Sequence, residues 1–222
     1  DNKMSAKSYV IDALRSPATK GWWRWIIASP FLMVLFEYLA VAPIGSHFFL
    51  WLELPFILGF LAAIIAVVVF PFLLMFRKLR KTALAWLLAS LCFFPLAFGG
   101  FILGEKIRSS AFHDLAERST PLVSAIFQYT DDHGALPKSL GELVPDYLSE
   151  IPQTGIMAYS DYRYYVGEKA ERYEGNPWIL IVSTPSGGIN FDKFMYFPLQ
   201  NYPERGYSGY FERIHEWAYL HE

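Results

Sequence analysis

Residues 83–104 read ALAWLLASLCFFPLAFGGFILG and contain no charged side chain. Two earlier stretches, 25–45 and 48–76, are equally apolar apart from one glutamate each, Glu37 and Glu53. A helix needs about 20 apolar residues to cross the hydrocarbon core of a bilayer. The sequence therefore predicts three transmembrane helices over 25–45, 48–76 and 83–104.

The composition supports a membrane protein with one further domain. Of its 222 residues, 54% are hydrophobic and only 18% are charged, and the apolar residues are concentrated before Gly104. A cleavable secretion signal has a shorter apolar core, and here a second span follows at once, so we expect the first segment to be retained. Met4 and Asp1 are equally acceptable as the native first residue. Residues 105–222 are predicted to form the second domain.

Lysine and arginine indicate the orientation. They flank the first span on its N-terminal side and fill the loop after the second span, whereas the loop at 43–46 has none. Because such residues accumulate on the cytoplasmic side, residues 1–24 and the loop containing Lys78 are predicted to be cytoplasmic. Three spans then place residues 105–222 across the membrane, which in a bacterium means the periplasmic side of the inner membrane.

The charge of the second domain argues against nucleic acid as a partner. Residues 105–222 contain ten Lys and Arg against 17 Asp and Glu, a formal charge of −7. The only cysteine, Cys92, lies in the third predicted span, so no disulfide is available to this domain.

The N-terminal segment is predicted to lie on the inner membrane surface. Residues 8–14, SYVIDAL, fit a short amphipathic helix, and Trp22 and Trp23 follow as an aromatic anchor. A disordered tail is the alternative for residues 1–24.

Helical spacing replaces continuous apolarity after Gly104, so the third span is predicted to continue outward as an amphipathic helix. Its apolar stripe consists of Phe112, Leu115, Ala116, Ser119, Leu122, Val123, Ile126 and Phe127. Pro121 is expected to kink this helix or to begin a second one, and Gly134 to end it. Ser139 and Glu142 then have the spacing of a capping box.

Four aromatic or β-branched runs follow, separated by glycine, proline and asparagine. They cover residues 162–166, 178–184, 193–197 and 210–220 and predict a small antiparallel sheet. The last run fits both helical and strand periods, and we predict it to be a strand.

The region 107–155 resembles the soluble domains of type IV pilins and of the major pseudopilin of type II secretion. The similarity rests on Tyr129, Gly134, Pro137, Ser139, Leu140, Leu143, Val144, Pro145, Tyr147, Leu148, Ile151 and Pro152. It implies a pilin-like α+β domain with a long N-terminal helix and a small antiparallel sheet. No prepilin cleavage sequence precedes a span, and Asp192 stands nearly alone where the family has an acidic calcium loop, so fibre formation is not implied.

Two intramembrane acids, Glu37 and Glu53, are the most prominent candidate functional residues. Carboxylates are costly in a bilayer, and both lie roughly 8 to 10 Å below the outer surface at 1.5 Å per residue. The pair is predicted to share a proton, hold a cation or receive a basic residue from a partner subunit. Alternatively, each is neutral or reaches the headgroups. His47, in the loop above, would extend either arrangement.

Catalytic, cofactor and metal sites are not predicted. His215 and Glu216 begin like a zinc-protease helix, but Tyr219 occupies the place of the second histidine. His113 and Glu117 share a helical face and are interpreted as a surface pair. The serines of STPSGG, residues 183–188, lack the glycine that a nucleophile elbow requires.

Aromatic residues suggest a contact surface, since twelve of the 14 tyrosines lie beyond Gly104. Tyrosine offers apolar area with a polar tip and suits contacts with a protein or a glycan. About half of these rings are assigned to the core. The candidate contact residues are Trp178, Trp217, Tyr207 and Tyr210.

These features favour a non-catalytic accessory or scaffolding subunit of a bacterial inner-membrane complex. Its expected partners are other membrane subunits and the lipid bilayer. One alternative is a transport or energy-coupling component that uses Glu37 and Glu53 to handle protons or cations. Another is a secretion or pilus-biogenesis factor.

Overall fold

The computed structural model describes residues 6–46, 48–186 and 190–222. The chain forms two compact units. The helical unit comprises Asp1–Glu37 and Leu52–Ile107, and the sheet unit comprises Tyr38–Trp51 and Arg108–Glu222.

Long apolar helices make up most of the helical unit. The first helices of the chain are α1 (Ala6–Leu14), α2 (Trp22–Val41), α3 (Phe48–Trp51), α4 (Leu54–Leu73) and α5 (Arg80–Arg118). Of these, α3 belongs to the sheet unit, and α5 belongs to the helical unit as far as Ile107. Among the described residues, three helical stretches are long and apolar enough to cross a membrane: Trp22–Val41, Phe48–Leu73 and Arg80–His133. This confirms the length and apolar character expected of the three predicted spans.

The N-terminal segment contains the short helix that its pattern predicts. α1 covers residues 6–14, and the indole nitrogen Nε1 of Trp23 donates a hydrogen bond of 3.1 Å to the Leu14 carbonyl. The placement of α1 on a membrane surface stays a prediction.

The second predicted span, 48–76, is matched by the helical stretch Phe48–Leu73, but a turn that the sequence analysis did not predict interrupts it. α3 ends at Trp51, a turn covers Leu52 and Glu53, and α4 begins at Leu54. Pro55 lies in the first turn of α4, where its missing N–H costs nothing because the first amides of a helix have no intrahelical acceptor.

The helix that continues from the third apolar stretch ends and restarts where its sequence predicts. α5 ends at Arg118, and a new helix, α6 (Thr120–His133), begins with Pro121 in its first turn. Gly134 ends α6 in the left-handed conformation with φ of 64°. A residue without a side chain takes this conformation at little cost.

The predicted capping box is not formed. Residues Leu140–Leu143 form a short 3-10 helix, and the Ser139 side chain makes no capping hydrogen bond. Glu142 instead accepts a hydrogen bond of 2.9 Å from the Lys138 amide and one of 3.1 Å from the Tyr129 hydroxyl. The carboxylate thereby connects the C-terminal part of α6 to this turn.

Within the described residues, the sheet unit contains six antiparallel strands in the order β1-β2-β3-β6-β5-β4. They are β1 (Arg163–Val166), β2 (Trp178–Ser183), β3 (Lys193–Tyr196), β4 (Arg205–Gly206), β5 (Gly209–Ile214) and β6 (Trp217–His221). A second 3-10 helix (Met157–Tyr159) precedes β1, and α7 (Glu168–Glu171) follows it. The first three predicted strands are confirmed.

The fourth predicted strand, 210–220, is wrong as a single element. It folds back on itself as the β5–β6 hairpin, with Ile214 paired to Trp217 across the turn. His215 occupies that turn with φ of 55°. Because the turn residues His215 and Glu216 are not glycine, proline or asparagine, the punctuation that separated the other strands gave no sign of the reversal.

Apolar residues cover both faces of the sheet. On one face, Phe112 of α5 has ring-centroid distances of 5.2 Å to Phe194 and 5.0 Å to Tyr219. The opposite-face cluster consists of Ala170, Ile179, Ile181, Met195, Phe197 and Leu220, with the partly buried Tyr165, Tyr173, Tyr202, Tyr207 and Phe211. The predicted helical stripe is confirmed except at its end, where Phe127 is 43% exposed.

Candidate functional site

Glu37 lies on α2 and is 7% exposed, packed beside a glycine of α5. A Cβ placed on Gly104 would lie 3.3 Å from the Glu37 Cβ and 3.4 Å from its Cγ. One turn earlier, a Cβ on Gly100 would lie 2.7 Å from the Pro30 Cα. The two glycines thus allow α2 and α5 to approach closely, as small residues do in membrane helix pairs.

Glu53 has a different position. It is the N-cap of α4 and is half-buried, and its side chain makes no capping hydrogen bond. The N-terminus of a helix carries partial positive charge, which favours a carboxylate there. The shared proton or cation predicted for Glu37 and Glu53 stays a prediction. His47, predicted to extend this pair, lies outside the described residues.

A large apolar cavity lies between α2, α4 and α5. Its volume is about 1070 Å³, and its middle is lined by Gly59, Ala62 and Ala66 of α4 and by Ser90 of α5. Ser90 is 6% exposed and contributes a hydroxyl to an otherwise apolar wall. Sequence reasoning missed this cavity, although the concentration of small residues in mid-helix was visible.

Buried polar groups of the sheet unit form a network around Arg108, which is 3% exposed. Its guanidinium donates hydrogen bonds to the Tyr159 hydroxyl (3.0 Å), the Thr184 carbonyl (2.6 Å) and the Tyr219 hydroxyl (2.9 Å). Tyr219 donates in turn to Oδ2 of Asp192 at 2.9 Å. We call Arg108, Tyr159, Thr184, Asp192 and Tyr219 the arginine network.

Asp192 anchors the far end of the arginine network. It is 5% exposed and accepts hydrogen bonds from the Ser186 hydroxyl (2.8 Å), the Asn190 side-chain amide (3.2 Å) and the Glu222 amide (2.9 Å). The aspartate that seemed isolated in the sequence therefore joins the loop after β2 to the residue after β6.

Burial and nearby charges keep the Tyr219 hydroxyl of this network protonated at neutral pH. Burial raises the pKa of Tyr219 above its usual value of 10.0, the Arg108 charge opposes that shift, and the Asp192 carboxylate adds to it. At neutral pH the hydroxyl therefore accepts from the guanidinium while it donates to the carboxylate, and it bridges two opposite charges.

The four candidate contact aromatics divide into two pairs. Trp178 and Trp217 are each 2% exposed, so their assignment to a contact surface is wrong. Both side chains pack against aromatic rings of the core. Because both faces of this sheet are covered, the alternation of residues along a strand could not show which side chains would be buried. Tyr207 is half-buried beside Tyr173, with ring centroids 5.2 Å apart, and only Tyr210, at 53%, is largely exposed.

Histidines do not assemble a metal site in the part of the chain that the structure describes. Those residues contain no group of three or more His, Cys, Asp and Glu side chains that could hold a metal ion. The rings of His113 and His215 meet edge to face at 5.1 Å, and His221 lies 2.9 Å from the Glu212 carboxylate.

Comparison with protein-family models, curated proteins and solved structures finds no match to this chain.

Proposed function

We propose that this protein is a non-catalytic subunit of a bacterial inner-membrane complex. In this proposal, the three apolar stretches cross the membrane, the N-terminus is cytoplasmic, and the sheet unit is a periplasmic pilin-like domain that binds partners. The arginine network is the observation that carries the proposal.

The arginine network supports a scaffolding role because it uses charged groups to hold the domain together. Arg108 and Asp192 are the charged side chains buried in the described part of the sheet unit, and each makes several hydrogen bonds to backbone or side-chain atoms of other elements. Hydrogen bonds among buried polar groups are strong in a low local dielectric, and they specify one arrangement of the elements that they join. A rigid domain loses little conformational freedom on binding, which favours association.

Tyr210 marks the surface that we assign to partners. Its ring is 53% exposed on β5 and stacks on His221 with centroids 4.3 Å apart. A preordered aromatic ring with an exposed hydroxyl is a typical anchor of protein contacts.

Purification from native membranes in a gentle detergent, followed by mass spectrometry, tests this proposal. We expect a defined set of membrane proteins in stable ratio, reduced several-fold by Tyr210→Ser. Leu199→Ser is the matched control, since Leu199 is a similarly exposed apolar residue, at 57%, outside β5. Its backbone amide donates to the Asn176 side-chain oxygen, and this bond does not depend on the leucine side chain. A wild-type protein that purifies alone would contradict the proposal.

The sidedness has its own test. Reporter fusions at Lys78 and after Glu222 should give cytoplasmic and periplasmic signals respectively, because basic residues accumulate on the cytoplasmic side. A cytoplasmic signal from the second fusion would refute the arrangement.

A second candidate function is proton or cation coupling through Glu37. Its support is the burial of this carboxylate within an apolar helix, since intramembrane acids are commonly functional. Glu37→Gln should then abolish ion flux in liposomes while assembly remains intact, and Glu53→Gln should do the same if the two act as a pair. Wild-type protein without flux would exclude this function.

A third candidate, a secretion or pilus-biogenesis factor, is supported by the pilin-like motif around Tyr129 and Tyr147. In the structure, the Tyr147 hydroxyl donates to Asp132 at 2.8 Å, and the two tyrosine rings lie 5.6 Å apart. Pilin or pseudopilin subunits among the co-purifying proteins would favour this function over a general scaffold.

A further inference from the structure

We propose that the cavity between α2, α4 and α5 binds an isoprenoid lipid that carries a hydrogen-bonding oxygen, the chemistry of isoprenoid quinones and alcohols. The proposal rests on the proposed membrane placement of the helical unit. It does not depend on the partners of the sheet unit.

The shape of the cavity follows from the order of residue sizes along each helix. On α4, the lining residues between Phe56 and Phe70 include the small residues Gly59, Ala62, Ala63 and Ala66, and both phenylalanines line the cavity as well. On α5, Ala89 and Ser90 lie between Trp86 and Phe93 in the same way. The cavity is therefore widened by small side chains in its middle and bordered by aromatic rings at both ends.

This arrangement favours a compact ligand over a partner helix. A membrane helix that docks along a groove needs small residues over the length of the contact. The cavity holds about 1070 Å³, near the upper end of small-molecule sites.

Ser90 supplies the polar anchor. It is 6% exposed and lines the cavity, where its hydroxyl is a polar group in an otherwise apolar wall. Ser29 on α2 differs, because its buried hydroxyl donates to the Ile26 carbonyl at 2.8 Å. Small-molecule sites are mostly apolar with a few polar groups that fix the orientation of the ligand, and a ligand oxygen in the cavity would bind this hydroxyl.

Depth excludes ordinary phospholipids as the source of this oxygen. Ser90 lies seven residues after Ala83, the start of the apolar stretch, or about 10 Å into it at 1.5 Å per residue. Phospholipid ester and phosphate oxygens stay at the membrane interface, whereas a quinone carbonyl or a prenol hydroxyl on an apolar chain can reach the interior. The branched chain of an isoprenoid also suits a cavity that is wider in its middle.

Tryptophan fluorescence can report ligand binding in the cavity, because Trp22, Trp25 and Trp86 line it. The rings of Trp22 and Trp86 are 5.9 Å apart. Decylubiquinone, an electron-accepting quinone, quenches tryptophan fluorescence at short range. Titration of the full chain in lipid nanodiscs should therefore give saturable quenching above the linear background of partitioned quinone.

Variants separate binding from partitioning. Ala62→Phe places a ring in the cavity from a position that is exposed within it, and it should abolish saturable quenching. Ile65→Phe adds the same ring on the same helix at a 62% exposed position outside the lining, and it should bind like the wild type. Ser90→Ala should weaken decylubiquinone binding about fivefold, the equivalent of one net hydrogen bond. Unchanged helical circular dichroism and size-exclusion profiles are required of every variant.

Competition identifies the ligand class. Geranylgeraniol should displace decylubiquinone if an oxygen on an isoprenoid chain is the shared feature, whereas a failure to displace restricts the site to quinones. Linear quenching in the wild type, or equal saturation by the wild type and Ala62→Phe, would overturn the proposal. Loss of a co-purifying membrane protein in Ala62→Phe without saturable quinone binding would assign the cavity to a partner helix instead. The effect of Tyr210→Ser on co-purifying partners tests only the proposed function. The subunit proposal and the lipid-binding proposal can therefore fail independently of each other.

Discussion

Removal of the Tyr219 hydroxyl should destabilise the sheet unit substantially, because that oxygen bridges two buried charges. In Tyr219→Phe the ring remains, so its packing at 5.0 Å from Phe112 is kept. The lost hydrogen bonds are the one accepted from Arg108 and the one donated to Asp192, both 2.9 Å long.

The size of the effect follows from these contacts. Hydrogen bonds to charged groups contribute about 1.5 to 3 kcal/mol each. Arg108 keeps its bonds to Tyr159 and Thr184, and Asp192 keeps its bond to Ser186, so the lower value applies to each. We therefore expect a loss of about 3 kcal/mol in the free energy of opening the sheet.

Hydrogen exchange of the full chain in detergent, read by mass spectrometry, measures this loss on the amides of β3 and β6. Tyr210→Phe is the matched control, since Tyr210 is 53% exposed on the adjacent strand and its substitution should change the opening free energy by less than about 0.5 kcal/mol. A change below about 1 kcal/mol in Tyr219→Phe would refute the structural role of the arginine network.

Three further predictions concern helix packing, pH and backbone conformation. Gly100→Ala, whose Cβ would lie 2.7 Å from the Pro30 Cα, should cost about 1 to 3 kcal/mol in detergent unfolding followed by circular dichroism. Gly99→Ala, with no atom within 4 Å of its Cβ, should be neutral or stabilise by up to about 1 kcal/mol; equal losses in the two variants would contradict the close approach. Because the folded pKa of Tyr219 is raised above 10.0, the stability that this group contributes is complete below pH 10 and falls as pH rises further. Urea unfolding at increasing pH should show this decline in the wild type and a weaker one in Tyr219→Phe. His215→Gly should stabilise the β5–β6 hairpin by about 0.5 to 1 kcal/mol in hydrogen exchange, since φ of 55° strains a residue with a side chain, and a loss would show that the histidine ring contributes more than the strain costs.

Local sequence features predicted the helical part of this protein well. Uninterrupted apolar runs identified three helices of membrane-crossing length, because about 20 apolar residues in succession satisfy both helix geometry and bilayer thickness. Pro121 and Gly134 marked where α6 begins and ends, since proline fixes φ and glycine takes the left-handed conformation at little cost. The break before α4 was missed, although Pro55 marks it.

Long-range contacts limited the prediction of the candidate site. Glu37 was identified because a carboxylate in an apolar helix is visible in the sequence, but its contact with Gly104 depends on how α2 and α5 pack. Trp178 and Trp217 were assigned to a surface because tyrosine-rich and tryptophan-rich strands suit interfaces and cores alike. The structure buries both of them.

The sequence by itself determined where the chain is apolar enough to cross a membrane, where its helices stop, and where most strands lie, since these properties depend on neighbouring residues. Only the tertiary structure decided the β5–β6 reversal, the cavity beside Ser90 and the joining of Arg108, Asp192 and Tyr219. Those three side chains lie far apart in the chain, and strand register and helix packing bring them together. No local sequence pattern predicts this contact, because the free energy that favours it arises from burying all three groups together.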